Sequence, residues 1–354
     1  MMEWILLIFV LPYFFLLLRI YYNLREVRQF DPVESGPVLI SVIIPCRNEN
    51  DNISRILTEV SIQDYPEDLF EVIVVDDNST DTSFKTALEF TGIKNCKVLR
   101  NTGSGKKMAL HTGITSAIGD LVITTDADCL MKKEWLSVIA SFYSANKPDL
   151  IICPVVLETI PGFFGKVQEL EFLSLQGITA GTALGNNGTM CNGANLAFRR
   201  AAWITHSRDL RNDIPSGDDI FLLHSLKKKP DARIMWLESC KAVVTASASK
   251  TIPDFIRQRS RWISKGRAYT DKYTITLAIV TFVTILSQMI FLLSGLFNPV
   301  FFLIYLASIG IKSVPDYLIL SNTTERYSKK NLMRWFIPSQ LVYPFYVLAV
   351  ALRF

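Results

Sequence analysis

Histidine is scarce in this sequence and cysteine is unpatterned. The three histidines lie far apart, and the six cysteines (Cys46, Cys96, Cys129, Cys153, Cys191, Cys240) include no Cys-x-x-Cys pair. Neither a zinc site nor a disulfide framework is suggested, which suits a reducing, cytoplasmic surrounding. A large charge imbalance is also missing: 37 Lys and Arg stand against 33 Asp and Glu, for a net charge of +4, and the basic residues are scattered except near apolar segments. Nucleic acid is therefore not indicated as a partner. There is no internal repeat and no Walker loop. Asn101-Thr-Gly-Ser-Gly-Lys106-Lys107 has Arg100 where that motif needs its first glycine and Lys107 where it needs Ser or Thr. What is abundant is apolar: 49% of residues are hydrophobic and the mean hydropathy is +0.26. Part of the chain should lie in lipid.

Four stretches are long enough as helices to cross a bilayer core of ~30 Å: 1–22, 273–297, 300–320 and 335–352. Arg19, Arg25 and Arg28 follow the first run instead of preceding it, which argues against a signal peptide and puts the N-terminus outside. The stretch from Ser321 to Arg334 carries Arg326, Lys329, Lys330 and Arg334 against Glu325, and reads as a cytoplasmic loop. Lys312 and Asp316 are four residues apart inside an apolar run, so they pair, snorkel or line a polar path, and pairing near the interface is the favoured reading.

Between the spans the pattern changes. After a linker, Asp31-Pro-Val-Glu-Ser-Gly-Pro37, Val38 to Pro45 reads as a strand, Cys46-Arg-Asn-Glu49 as a turn, and the next segment as a helix with Ile53, Ile56, Leu57 and Val60 on one face. Glu71 to Val75 is a second strand, closed by Asp76-Asp-Asn-Ser-Thr-Asp81. This alternation starts a doubly wound parallel sheet. The apolar run Val122 to Thr125 ends in Asp126-Ala-Asp128, where residues two apart in extended chain face one side. Such a pair either holds a hard divalent cation or caps the following helix. The glycine turn before Lys106 is either a solvated basic turn or an approach to a diphosphate.

Further on, Ile151 to Leu157 looks like a strand, and Phe163 to Thr179 like a helix with Val167, Leu170, Leu173 and Leu175 buried. The segment Leu184 to Asn195 is rich in Gly and Asn, so it either turns or brings backbone close to a polar ligand. Asp209 to Pro215 is a polar loop. Asp218 and Asp219 then start a helix, either to favour its dipole or to present a base. Thr251-Ile-Pro-Asp254 has capping-box spacing, and the helix after it carries Arg257, Arg259, Arg261, Lys265 and Arg267 among Phe255, Ile256, Trp262 and Ile263. A basic amphipathic helix of this kind lies on a membrane surface.

Taken in order, these motifs resemble the membrane-bound family-2 glycosyltransferases of the cellulose synthase, hyaluronan synthase and poly-N-acetylglucosamine synthase type. The resemblance is carried by Ser41-Val-Ile-Ile-Pro45, Val75-Asp-Asp-Asn-Ser-Thr-Asp81, Gly105-Lys106 with Ala109-Leu110, Asp126-Ala-Asp128, Ser216-Gly-Asp-Asp219 and Gln258-Arg-Ser-Arg-Trp262. It covers the whole soluble part. His111 departs from the pattern, which usually has Asn there. The resemblance implies a cytosolic α/β domain of GT-A type, Rossmann-like with a mostly parallel sheet, over 38–250, an interfacial helix over 251–270, and flanking transmembrane helices in a plasma (inner) membrane.

For the site, it implies that Pro45, Glu49, Asp76, Asp77, Lys106, Asp126, Gln258 and Arg261 bind a nucleotide sugar, with Asp76 or Asp77 on the base. Asp128 would hold Mg²⁺ or Mn²⁺, Asp219 would be the catalytic base, and Gly193, Asn195 and Trp262 would line the acceptor side. The implied reaction is metal-dependent inverting transfer from a nucleotide sugar, such as a UDP-sugar, to a glycan or lipid-linked acceptor, giving a β-linkage. Alternatives are transfer of one sugar to a membrane lipid, and a transport or non-catalytic assembly role. Partners would be the donor, the acceptor and membrane lipids, with room for a homo-oligomer or an accessory membrane subunit.

Overall fold

The structure, a computed structural model, describes residues 2–33, 36–184, 187–211 and 213–353. Parts of the linker (Glu34, Ser35), of the Gly/Asn stretch (Gly185, Asn186) and of the polar loop (Asn212) fall outside the described residues. In chain order the helices are α1 Leu11–Glu26, α2 Asn50–Ser61, α3 Ser83–Leu88, α4 Lys106–Ser116, α5 Trp135–Asn146, α6 Gly162–Ala183, α7 Arg200–His206, α8 Asp218–Lys227, α9 Ile252–Ser264, α10 Lys272–Ser294, α11 Pro299–Arg326 and α12 Phe336–Ala351. The strands are β1 Ile40–Cys46, β2 Phe70–Asp76, β3 Cys96–Arg100, β4 Leu121–Thr124, β5 Leu130–Met131, β6 Leu150–Ile152, β7 Val155–Leu157, β8 Leu196–Arg199, β9 Ile234–Trp236 and β10 Val244–Ala246. Two units emerge. One comprises Met1–Val27, Thr159–Leu184 and Ala248–Phe354, the other Arg28–Glu158 and Gly185–Ser247.

The second unit is the α/β domain. Its main sheet has the order β3-β2-β1-β4-β8-β6-β9, and a small sheet has the order β5-β10-β7. β1 pairs in parallel with both β2 and β4, while β8 is antiparallel to its neighbours β4 and β6. β1 and β2 are buried along their full length, as strands covered by helices on both faces must be. Ile53, Ile56, Leu57 and Val60 of α2 are all buried, as their spacing requires. Because β2 lies on one side of β1 and β4 on the other, the chain reverses direction across the sheet at β1. The crevice beyond the carboxyl ends of such strands is where open α/β sheets hold ligands. The stretch read as one strand, Ile151 to Leu157, is two: it breaks at Cys153-Pro154, so that β6 joins the large sheet and β7 the small one. Pro154 has no N–H for a ladder, and its carbonyl accepts instead from Val244 N–H at 3.1 Å.

The other unit is helical. Among the described residues three helices are long and apolar enough to cross a membrane: Glu3–Glu26, Lys272–Ser294 and Pro299–Arg326. The fourth expected span is a shorter helix, α12, of 16 residues, or about 24 Å at 1.5 Å per residue, entered through a 3-10 turn, Lys330–Trp335. The stretch read as a loop from Ser321 is helical up to Arg326, whose guanidinium donates to the carbonyls of Leu24 (2.8 Å) and Val27 (3.0 Å) at the end of α1. Such a cation completes the orphan acceptors of a helix C-terminus.

α6 belongs to this unit and not to the α/β domain that its position in the chain suggested. A Cβ on Gly181 would come within 2.5 Å of the Ile20 carbonyl oxygen on α1, and one on Gly177 would overlap Thr323 and Ile319 of α11. Close helix approach through small residues explains the assignment. Lys312 and Asp316 pair at 2.5 Å, with Lys312 buried and Asp316 half-buried; Tyr13 Oη donates to Asp316 (2.7 Å) and Lys312 donates to Gln340 (3.0 Å).

Candidate active site

β1 and β2 end side by side, with Pro45 opposite Val75 and Cys46 opposite Asp76. The loops beyond them are tied together. Asn48 N–H donates to Ser79 Oγ (3.0 Å), Thr80 N–H to Asn48 Oδ1 (2.8 Å) and Glu49 N–H to Ser83 Oγ (2.7 Å). Asn48 and Asn78 both sit at φ 55°, a left-handed conformation that Asn tolerates better than most residues. The two adjacent aspartates have different environments. Asp77 accepts from Gly105 N–H at 2.8 and 3.0 Å and from Asn101 Nδ2 at 2.7 Å, so it shapes the glycine turn. Asp76 is buried, with Oδ2 3.3 Å from Ser79 N–H and Oδ1 without a partner.

The glycine turn delivers Lys106 at the start of α4. Its ammonium lies 2.5 Å from Asp126 Oδ1, just beyond β4. Burial works against that charge, yet the carboxylates of Asp126, Asp218 and Asp219 together raise the ammonium above the usual lysine range. Burial, and next the charge of Asp126, pushes the Asp128 carboxyl upward. Burial raises Glu49 as well, with Asp128, Asp126 and Asp81 adding to it against the hydrogen bond from Asn52. These carboxylates therefore share one negative field. Among the described residues no group of three or more His, Cys, Asp or Glu could hold a metal by itself.

Gly217, at φ +91°, turns the chain into α8. There Asp219 accepts from Ile220 N–H (2.8 Å) and from Gly193 N–H (3.1 Å). Gly193 is itself held by Thr124 Oγ1, which donates to its carbonyl at 2.7 Å. Asn195 differs from its expected acceptor-side role. It is fully buried, accepts from Trp135 Nε1 (2.9 Å) and donates to the carbonyls of Pro154 and Ala242 (both 2.8 Å), so its amide is committed to the core. His111 accepts from Trp203 Nε1 at 3.5 Å.

In the helical unit, Thr251 caps α9 by accepting from Asp254 N–H (3.3 Å), as the capping-box spacing implied. Gln258 accepts from Arg259, whose guanidinium also pairs with Glu171 and lies over the rings of Phe255 (4.4 Å) and Trp262 (4.2 Å). Arg261 is exposed and Trp262 half-buried.

Residues 41–205 match the family described as Glycosyl transferase family 2. The chain carries a glycosyltransferase family 2 domain. Relatives of this domain include glycosyltransferase AglE of Haloferax volcanii, 36% identical over 114 residues, or 32% of this chain and 38% of AglE. Poly(ribitol-phosphate) beta-N-acetylglucosaminyltransferase TarS of Staphylococcus aureus is 32% identical over 32% of this chain and 20% of TarS. Poly-beta-1,6-N-acetyl-D-glucosamine synthase of Staphylococcus epidermidis is 25% identical over 64% of this chain and 54% of the synthase. Each match spans less than two thirds of the relative's length. The fold of the whole chain is similar to that of mannosyltransferase PcManGT from Pyrobaculum calidifontis, solved with GDP-Man and Mn²⁺, with a TM-score of 0.59, 98% coverage of both chains and 18% identity. The family 2 domain thus has the GT-A type, Rossmann-like fold with a mostly parallel sheet.

Within the α/β unit that contains this domain, Asp76, Lys106, Asp126, Asp128 and Asp219 gather on the side of the sheet marked by the ends of β1, β2 and β4, and Gly193 touches Asp219. Gln258, Arg261 and Trp262 belong to the helical unit. One residue of the site region escaped the sequence reading. Lys107 is buried, and its ammonium donates to the carbonyls of Leu210 (2.7 Å), Arg211 (2.9 Å) and Ile214 (3.0 Å). The doubled lysine was its only trace in the sequence.

Proposed function

We propose that the chain is a membrane glycosyltransferase that moves a sugar from a nucleoside diphosphate, a UDP-sugar in the first instance, to a hydroxyl of a glycan or lipid-linked acceptor. The observation that carries this reading is the Lys106–Asp126 ion pair at the switch point of the sheet, with Asp218 and Asp219 close enough to raise the lysine. Asp76 supplies an unpartnered, buried carboxylate oxygen suited to a base with a ring N–H, which uracil and guanine have. Asp77, occupied by the glycine turn, is assigned to shaping the pocket, beside Pro45 and Glu49.

A hard divalent cation fits the donor set. Asp128 and Asp126 offer carboxylate oxygens in a shared negative field, and among the described residues too few protein ligands gather to complete a shell without the diphosphate and water. Asp128 would hold Mg²⁺ or Mn²⁺; when bound, the ion offsets charge on the departing diphosphate.

Asp219 takes the proton of the acceptor hydroxyl. The oxygen bonds to the anomeric carbon as the carbon–oxygen bond to the diphosphate breaks, its electron pair leaving with the diphosphate. Attack from the opposite face inverts the centre, so an α-linked donor gives a β-linked product. Gly193 N–H holds the Asp219 carboxylate for this task. On the strength of the sequence motif alone, Gln258 and Arg261 are assigned to the nucleotide sugar and Trp262 to the acceptor. The catalytic domain is assigned to the cytoplasmic side of the plasma (inner) membrane.

The test is purified protein in lipid with Mg²⁺ or Mn²⁺, assayed for nucleoside diphosphate release from a panel that includes UDP-N-acetylglucosamine and GDP-mannose. Cation-dependent release from one donor supports the reading. No release from any donor, with or without extracted membrane lipid as acceptor, contradicts it.

A further inference from the structure

Lys107 is 6% exposed and its three N–H groups are directed at three carbonyls of one loop, Leu210, Arg211 and Ile214. An ammonium has three donors and no acceptor, so it can make all three of these contacts at once. A buried cation so held is costly to disturb, because removing it takes a hydrogen-bond donor from each of these carbonyls, and removing them leaves a charge with less solvation. The described residues of the loop it grips belong to no strand, and the chain leads on through Gly217 into Asp218 and Asp219. The ammonium also lies 5.1 Å from the ring centre of Phe221, in the first turn of α8. Lys107 therefore holds the approach to α8 from two directions. Its neighbour Lys106 is paired with Asp126, so two consecutive residues at the head of α4 serve the donor end and the Asp219 end of the site.

We infer that Lys107 is a positioning residue for Asp219, fixing the loop that sets the base against the donor; this rests on the reading of Asp219 as the base. A group acting through placement of a base affects turnover and leaves donor binding alone, and displacement of a catalytic group by about 1 Å can cost on the order of 100-fold in rate.

The experiment measures kcat for nucleoside diphosphate release and the donor dissociation constant, with whichever of UDP-N-acetylglucosamine or GDP-mannose the parent protein turns over. Lys107→Met is expected to lower kcat by about 10- to 100-fold with donor affinity within about twofold of the parent. Lys107→Arg, which restores charged donors, is expected to recover part of the loss. A Lys107→Met protein with parental kcat overturns the inference. So does one whose donor affinity falls in step with kcat, since that marks a general structural role. Asp219→Asn run alongside separates the two claims: if it stays active, the reading of Asp219 fails, and if it is inactive while Lys107→Met keeps parental kcat, only the positioning role fails.

Discussion

Replacing Glu171 with Gln keeps the shape of the side chain and removes the charge that faces Arg259. Both side chains are nearly buried, 8% and 5% exposed, so solvent does little to soften the change. Glu171 accepts Arg259 Nε at 3.0 Å and a second bond from the same guanidinium, in a bidentate arrangement, and also the hydroxyl of Tyr346 at 3.3 Å. Breaking a buried pair by removing one partner costs about 3–5 kcal/mol, because the other charge stays behind without compensation. Arg259→Met should fall toward the upper end, since it also forfeits the cation over Phe255 and Trp262, each contact worth about 0.5–2 kcal/mol. The double variant, Glu171→Gln with Arg259→Met, strands no charge and should lose less than the two singles added, with a coupling of about 2–3 kcal/mol. Reversible unfolding in mixed detergent and SDS micelles measures all three. Losses below about 1 kcal/mol in both singles, the range of a solvent-exposed pair, or strict additivity in the double variant, would refute the idea that this pair anchors α9.

Asp128→Asn should keep the fold but weaken Mn²⁺-supported donor binding by at least about tenfold, measured as donor affinity with and without the cation; an unchanged cation dependence removes Asp128 from the metal site. Reporters fused before Met1 and after the last residue should both appear outside, with the α/β domain in the cytoplasm; a C-terminal reporter found inside would mean that α12, with its 16 residues, does not cross.

The features visible in the sequence were those set by local periodicity and by residues adjacent in the chain. Ile53, Ile56, Leu57 and Val60 announced α2 because burial on one helix face repeats every three or four residues. The ends of β1, β2 and β4 were legible because apolar runs stop abruptly at polar residues there. The capping pair of Thr251 and Asp254, and the pairing of Lys312 with Asp316, followed from spacings of three and four. What could not be read depends on partners far along the chain. Asp76 and Asp77 look equivalent in sequence, and only Gly105, 28 residues on, distinguishes them. Lys107 reads as one more solvated lysine until the loop 103 residues away folds over it. The membership of α6 in the helical unit rests on Gly177 and Gly181, whose small size matters only against α1 and α11. Asn195 looked like a ligand contact because its segment is polar, but its amide closes a junction between Trp135, Pro154 and Ala242.

The most direct test of sugar transfer at this site is a paired measurement on Asp219→Asn in lipid: donor affinity by calorimetry and sugar transfer from the same donor. A base acts only as the acceptor hydroxyl becomes a nucleophile, so the variant should bind donor within about twofold of the parent and transfer about 100- to 10,000-fold more slowly. Transfer near the parental rate by a folded, membrane-inserted Asp219→Asn protein would contradict the account.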